Sequence, residues 1–397
     1  MVQRRAGEIL RFAQDDKCSA RDEIAFVRIL IAPDKFKGSL NAREVAQNIA
    51  KGLRDALPDA KIEIVPMADG GEGTAEAIAQ ARGGSWLECN AHDPLGREID
   101  VRYAWIESGR IAVMEMSEAS GMRRLPEKEQ DPVHATTFGV GEMTLDATKH
   151  GAKEIIIGLG GSATNDGGFG MARALGFRFF AQDQDLCGAV SELVRLERIE
   201  SPKHLVLPEI TAAVDVKNPL LGKNGATRVF GAQKGASQNE LDILERALTR
   251  LADIVTKEFG FDYRDEPGAG AAGGLGFGLM SFCGAKVRPG FDVVADAVGL
   301  EAKIKDADVV ITGEGSLDRQ TLEGKTPAGV ARLARRLGKP VFAFVGRASR
   351  DREVREMFDG VCENAQRGMS HEENMKRAAE LLRENARELA ETFGVGL

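Results

Sequence analysis

Between Gly158 and Gly168 the chain reads Gly-Leu-Gly-Gly-Ser-Ala-Thr-Asn-Asp-Gly-Gly, flanked by the apolar run Ile155-Ile156-Ile157 and by Phe169-Gly170-Met171-Ala172. A strand, a glycine-rich turn and a helix start, in that order, make a cradle for anions. Glycine lets the backbone approach an oxyanion, and the first amides of the helix point at it with the helix dipole behind them. Ser162, Thr164, Asn165 and Asp166 add oxygen donors of the kind that hold magnesium beside phosphate. The chemistry this pattern suggests is phosphate chemistry.

Three further loops have the same character. Pro33-Asp34-Lys35-Phe36-Lys37-Gly38-Ser39 leaves the first apolar run, and Met67-Ala68-Asp69-Gly70-Gly71-Glu72-Gly73-Thr74 leaves the second. Thr312-Gly313-Glu314-Gly315-Ser316-Leu317-Asp318 leaves a later one, and Gly324-Lys325-Thr326 precedes the next helix. Each pairs glycine with a carboxylate or hydroxyl, which turn formation alone does not require. Competing structural readings exist for single residues. Asp69 and Glu72 suit a helix N-terminus, where a carboxylate complements the dipole. Asp215 suits a turn with Asn218, and the glycines of Gly268–Gly278 serve close packing as readily as binding. His92, His134 and His150 read as structural or surface residues.

These loops need a scaffold, and the sequence alternates in a way that supplies one. Arg28–Ala32, Lys61–Val65, Ile111–Met116, Glu154–Ile157, Ile210–Val214, Asp308–Thr312 and Val341–Val345 read as strands. Asn41 with Glu44, and Ser237 with Glu240, form capping boxes ahead of amphipathic helices, and Thr326-Pro327 opens another that Gly338 closes. The rhythm predicts an α/β fold with largely parallel sheets. With 397 residues, 43% hydrophobic and 29% charged, the chain can bury a sizeable core in two domains. A net charge of −8 without a long Lys/Arg cluster leaves no footprint for nucleic acid, and no apolar stretch reaches the roughly 18 residues of a membrane span. Five scattered cysteines, without metal-site spacing, read as reduced thiols of a cytoplasmic protein.

Domain boundaries are expected at the turn-rich Ala91–Arg97 and near Phe291: residues 27–90 and 291–397 form one discontinuous domain, and 91–290 form a second, inserted one. The catalytic residues would then converge in the cleft between them. Residues 1–26 mix charges with isolated apolar residues and carry no signal-like core, so they read as a disordered extension or a start placed too far upstream.

The loops together resemble the bacterial glycerate kinase family, of the type that acts in glycerate, glucarate and glyoxylate utilisation. The matching segments are Ile31–Asp34 with Phe36–Leu40, Ala68–Thr74, Gly158–Gly168, Asn218–Gly222, Val229–Gly231 with Gln233–Ala236, Gly270–Gly276 and Thr312–Asp318. Lys35 stands where the family usually has a small residue, and Val345-Gly346-Arg347 is less typical. The resemblance implies a flavodoxin-like parallel-sheet domain with an inserted α/β domain, and ATP-dependent, Mg²⁺-assisted phosphorylation of D-glycerate to 2-phosphoglycerate by a monomer or homodimer. Open alternatives are a kinase forming 3-phosphoglycerate and an inactive binding protein of the same fold.

The expected roles follow from what phosphoryl transfer needs, which is positioning and neutralisation of phosphate charge. Lys37 is expected to meet phosphate or substrate carboxylate, Asp166 or Asp215 magnesium, and Asp69 or Asp318 the substrate hydroxyl. Arg288 is a candidate for the glycerate carboxylate. Asp34, Ser39, Gly70, Gly71, Glu72, Gly160, Gly161, Ser162, Ala163, Thr164, Asn165, Gly167, Asn218, Gly273, Gly274, Thr312, Gly313, Glu314, Ser316 and Lys325 are expected around ATP and glycerate. Which loop takes which substrate stays open at this level.

Overall fold

The computed structural model describes residues 27–323, 325–366 and 368–394, so the expectation for residues 1–26 lies outside the described residues. The chain forms two compact units: one from residues up to Asp69 and from Val294 onward, the other from Gly70–Val293.

The first unit is built on a five-stranded, all-parallel sheet. Its spatial order is Gly360–Glu363, Val341–Ala348, Val309–Leu317, Arg28–Ile31, Lys61–Ile64. Counted along the chain this is the flavodoxin-like order 2-1-3-4-5. Side chains alternate along a strand, so Ile29 and Ile31 point to one face, where they cluster with Val309, Ile311, Phe342 and Phe344. Helices Ala42–Ala56 and Ala378–Gly394 cover that face through Val45, Ile49, Leu53, Leu382 and Leu389. The two helices pack closely at Gly52, where a Cβ would stand 2.1 Å from the Arg383 carbonyl oxygen. Leu30 and Val310, on the opposite face, are buried as well, as the covered faces of a parallel sheet require. The Asn41–Glu44 capping box is formed on the first helix.

The second unit carries a six-stranded sheet ordered Lys286–Pro289, Glu209–Val214, Glu154–Gly158, Ile111–Glu115, Glu98–Ile106, Ser85–His92. The first four strands are parallel and the last two antiparallel. The helix Gln238–Phe259 starts at the Ser237–Glu240 capping box and ends at Gly260 in the left-handed region.

Two expectations change. The second unit starts at Gly70 instead of residue 91, because the turn around Pro94 only joins Ser85–His92 to its hairpin partner Glu98–Ile106. The helix Thr74–Arg82 packs on the same sheet, held by buried Glu115, whose Oε1 accepts from the Gly73 and Ala75 amides at 2.9 and 3.2 Å. Second, the glycines of Thr312–Ser316 do not leave the strand. They continue its ladder, Gly313 opposite Phe344 and Ser316 opposite Arg347. A Cβ at Gly313 would lie 2.3 Å from the Phe344 carbonyl oxygen, so this glycine serves strand packing. Among the described residues no helix is long and apolar enough to cross a membrane. Cys89, Cys187, Cys283 and Cys362 are unpaired thiols.

Candidate active site

In a flavodoxin-like sheet, ligands bind beyond the carboxyl ends of the strands, where the strand order reverses. Here the reversal lies between Arg28–Ile31 and Val309–Leu317, and a cavity of about 600 Å³ opens there. Its lining includes Asp34, Lys35, Lys37, Ser39, Asp69, Glu314, Ser316 and Lys325, so the first unit gathers polar residues from segments far apart in sequence.

The acids of this cavity are held in costly positions. The Asp34 carboxylate accepts from the Lys35 amide at 2.7 Å and from Thr326 Oγ1 at 2.7 Å. Burial, and then the nearby Asp69 charge, nevertheless push its pKa up to about 7, against the opposing Lys35 charge and both hydrogen bonds. Glu314 accepts from Thr321 Oγ1 at 2.6 Å, yet burial, with Asp34 and Asp318 adding repulsion, also raises it to about 7 against Thr321 and Lys325. Carboxylates crowded together beside lysines mark a place where charge from a ligand is expected. Thr326, Thr321 and Arg347 were not among the sequence candidates. Thr326 was read within Gly324-Lys325-Thr326 and as a helix start without a role of its own, and Arg347, whose Nε donates to Ser316 Oγ at 3.1 Å, stands in a strand end with no motif.

The second unit treats its glycine-rich run differently. Only Gly160 and Gly161 reach solvent appreciably, while Ser162, Ala163, Thr164, Asn165, Asp166 and Gly167 are buried. Asp166 is wholly enclosed. Its Oδ2 accepts from Thr137 N at 2.9 Å, Thr137 Oγ1 at 2.8 Å and Gly170 N at 3.0 Å, and its Oδ1 from Gly168 N at 3.0 Å. Burial raises its pKa, and these donors oppose the rise. The amides at the start of helix Phe169–Ala174 are therefore satisfied by the protein's own carboxylate and by Thr137, which accepts from Met171 N. The phosphate cradle read from the sequence is filled from within.

Lys234, also missed, enters the same loop. It is 2% exposed, and its Nζ donates to Ser162 Oγ at 2.8 Å and to the Thr164 carbonyl at 2.6 Å. Burial lowers its pKa to about 7, with the Asp166 charge opposing. Asn165 Nδ2 donates to Thr227 Oγ1 at 2.9 Å. Gly273, at φ +70°, would place a Cβ 2.0 Å from the Thr164 carbonyl oxygen, so the glycines around 273 and 274 pack against this loop's backbone.

Other expected site residues have structural duties. Thr312 Oγ1 donates to the Ala32 carbonyl at 2.8 Å, stitching two strands. Asn218 Nδ2 closes a turn on Asn224 O at 2.7 Å. Glu72 pairs with Arg123 at 3.5 Å, and a Cβ at Gly70 would stand 2.9 Å from Ala213 O. Gly71 packs against Gly160, Arg288 lies half-buried on an edge strand, and Asp318 folds its amide onto Thr321 Oγ1 at 3.1 Å. His92, His134 and His150 each lie beside a local carboxylate, Glu142, Asp131 and Asp146.

Magnesium usually takes one or two protein carboxylates and completes its shell with water and substrate phosphates. Of the two alternatives expected for magnesium, Asp166 is committed to four internal donors, while Asp215 is exposed directly after the strand Glu209–Val214. Among the described residues no three His, Cys, Asp or Glu side chains form a metal cage. Asp34 and Asp69 do fit a cation carried in with phosphate, because burial and then the Asp69 charge make Asp34 costly to ionise, a cost that a cation would relieve.

The first unit is thus a flavodoxin-like α/β unit with an acid- and lysine-lined cavity at its switch point. The profile of the Glycerate kinase family matches residues 29–394, and the chain belongs to that family. It is 40% identical over 370 residues to the glycerate kinase of Bacillus subtilis strain 168, covering 92% of this chain and 97% of that one. It is 43% identical over 329 residues to the glycerate 2-kinase of Escherichia coli K12, covering 82% and 86%. A crystal structure described as glycerate kinase 2 of Salmonella typhimurium LT2 matches with a TM-score of 0.83 and 42% identity, covering 94% and 99%.

Proposed function

We propose that the chain is an ATP-dependent glycerate kinase that phosphorylates D-glycerate, with 2-phosphoglycerate as product. The observation that carries this reading is the first unit's cavity, where Lys37 and Lys325 stand beside Asp34, Asp69 and Glu314. The names borne by its relatives supply the acceptor, and the E. coli relative's name supplies the 2-position.

In-line phosphoryl transfer leaves the protein mainly positioning and charge neutralisation to do. Lys37, Lys325 and Arg347 supply cations for phosphate oxygens. Asp34 and Asp69 would hold magnesium, which when bound supplies charge neutralisation between phosphate oxygens. Glu314, poised near neutral pH, is suited to take the proton of the attacking hydroxyl, with Asp318 adding to the field that keeps it poised.

The test is an assay of ADP release with D-glycerate and ATP, titrated with magnesium, followed by phosphorus NMR of the product. D-Glycerate-dependent ADP release with phosphorus on O2 supports the proposal. Phosphorus on O3 overturns the product assignment, and no glycerate-dependent release overturns the activity.

A further inference from the structure

A carboxylate that takes a proton from a hydroxyl must present one oxygen in a fixed direction, so the torsions of a long glutamate side chain have to be held. Glu314 lies near the end of the strand Val309–Leu317, which Asp318 and the short 3₁₀ turn Arg319–Glu323 follow directly. That turn folds back on the strand end. The Thr321 amide donates to the Asp318 carbonyl at 3.0 Å, and the Asp318 amide donates in return to Thr321 Oγ1 at 3.1 Å. This reciprocal pair fixes the backbone and the hydroxyl of Thr321 together, on a side chain already stiff at χ1.

Thr321 is buried, and its hydroxyl has a single proton to give. With Oγ1 accepting from the Asp318 amide, that proton is donated to Glu314 Oε1 at 2.6 Å. The backbone therefore sets the order of donors: amide to hydroxyl, hydroxyl to carboxylate. Oε1 is held as an acceptor, which leaves Oε2 as the oxygen that takes up a proton. The turn does not need this last bond, because the Asp318–Thr321 pair closes it already. The same stretch of chain reaches the cavity again at Thr326, whose Oγ1 donates to Asp34 Oδ2 at 2.7 Å, so both buried acids of the cavity take a hydroxyl from one segment. We infer that Thr321 is a positioning residue for Glu314, holding Oε1 so that Oε2 meets the attacking hydroxyl. The inference rests on the kinase reading above, in which Glu314 takes that proton, and adds the group that aims it. As the acceptor oxygen bonds the γ-phosphorus and the bridging oxygen leaves with ADP, the acceptor's proton passes to Oε2, and Thr321 keeps its own.

The experiment is steady-state kinetics of ADP release by the full-length protein with D-glycerate and ATP at saturating magnesium and pH 8. It compares the wild type, Thr321→Val, Thr321→Ser, Glu314→Gln and the double variant Glu314→Gln/Thr321→Val, with thermal melts to show that each is folded. Thr321→Val keeps the side-chain shape and removes the hydroxyl. It is expected to lower kcat about three- to tenfold, bounded by the roughly tenfold expected for Glu314→Gln, with both KM values within about twofold of the wild type. Because the two side chains act as one unit, the double variant should be no slower than Glu314→Gln alone, whereas independent effects would multiply. Thr321→Ser returns the hydroxyl and should recover most of the loss. If Thr321→Val does not fold, Thr321→Ala, which leaves room for water beside Asp318 and Glu314, takes its place in the same cycle. A wild-type kcat without the hydroxyl, a loss that multiplies with that of Glu314→Gln, or a Thr321→Ser as slow as the variant lacking the hydroxyl overturns the positioning role and leaves the kinase reading standing. No glycerate-dependent ADP release by the wild type overturns the kinase reading, and the positioning role with it.

Discussion

The strand-end cavity of the first unit and the glycine-rich run of the second use similar residues for opposite ends. In the second unit Asp166 receives four donors and Lys234 reaches two acceptors, so each buried charge is spent on holding backbone. In the first unit burial, with neighbouring acids adding to it, raises the pKa values of Asp34 and Glu314 to about 7 despite their hydrogen bonds. Residue type between glycines therefore does not distinguish a ligand site from a scaffold joint. What distinguishes them is how the buried charges are answered: in the second unit Asp166 and Lys234 are fully engaged within the fold, although Thr164 Oγ1 and Asn165 Oδ1 beside them have no partner.

The sharpest way to break this contrast is Asp166→Ala. It strips four buried donors of their acceptor and leaves Lys234 without a nearby opposite charge. A loss of about 3–5 kcal/mol is expected, the scale for removing one partner of a buried charged network, read by urea denaturation. A variant of wild-type stability with a raised magnesium requirement would reverse the assignment and make Asp166 a metal ligand. Lys37→Ala should behave in the opposite manner. This exposed side chain at the cavity should cost roughly 10²-fold in kcat/KM with an unchanged melting temperature. Wild-type turnover would remove Lys37 from the reaction.

Glu314→Gln comes next in size. With its pKa raised to about 7, Glu314 is protonated in acid and becomes a base only as pH rises past neutrality, so wild-type kcat/KM should climb through about pH 7. The variant should lose about tenfold at pH 8 and lose that limb, because a loose transition state asks little of its base. Its stability should shift too. The folded pKa exceeds the unfolded one, so the wild type holds a proton between about pH 4.5 and 7 that the unfolded chain releases, and stability falls as pH rises across that window. Glu314→Gln lacks this fall and should gain on the wild type between pH 5 and 8. Parallel pH–stability curves would place Glu314 outside the strained cluster.

Much of the scaffold was legible because its signals are local. The Asn41–Glu44 and Ser237–Glu240 boxes and the apolar runs of the parallel strands depend only on neighbours within a few residues. The loop at Asp34, Lys37 and Ser39 was also legible, since a strand end followed by charge and glycine is itself a local pattern. Burial was not. Nothing in Ser162–Asp166 announces that Thr137, about thirty residues earlier, and Lys234, seventy later, close over it. The strand continuation through Gly313–Ser316 was hidden for the same reason, because its ladder partner Val341–Ala348 lies beyond an intervening helix.

Lys234 gives the smallest effect at neutral pH and the finest test of the contrast. Its buried ammonium costs desolvation, while its two hydrogen bonds and Asp166 offset that cost, so Lys234→Met should change stability little near pH 7. Away from neutrality the balance tilts. The folded pKa, lowered to about 7, lies below that of the unfolded lysine, so between about pH 7 and 10 the unfolded chain binds more protons and wild-type stability rises with pH. The slope approaches about 1.4 kcal/mol per pH unit in that window, and Lys234→Met should lack it. Urea melts at pH 7 and 8.5 measure the difference. If the two proteins keep the same offset at both values, Lys234 holds its proton throughout, and the second unit contains a stably paired charge instead of a titrating anchor.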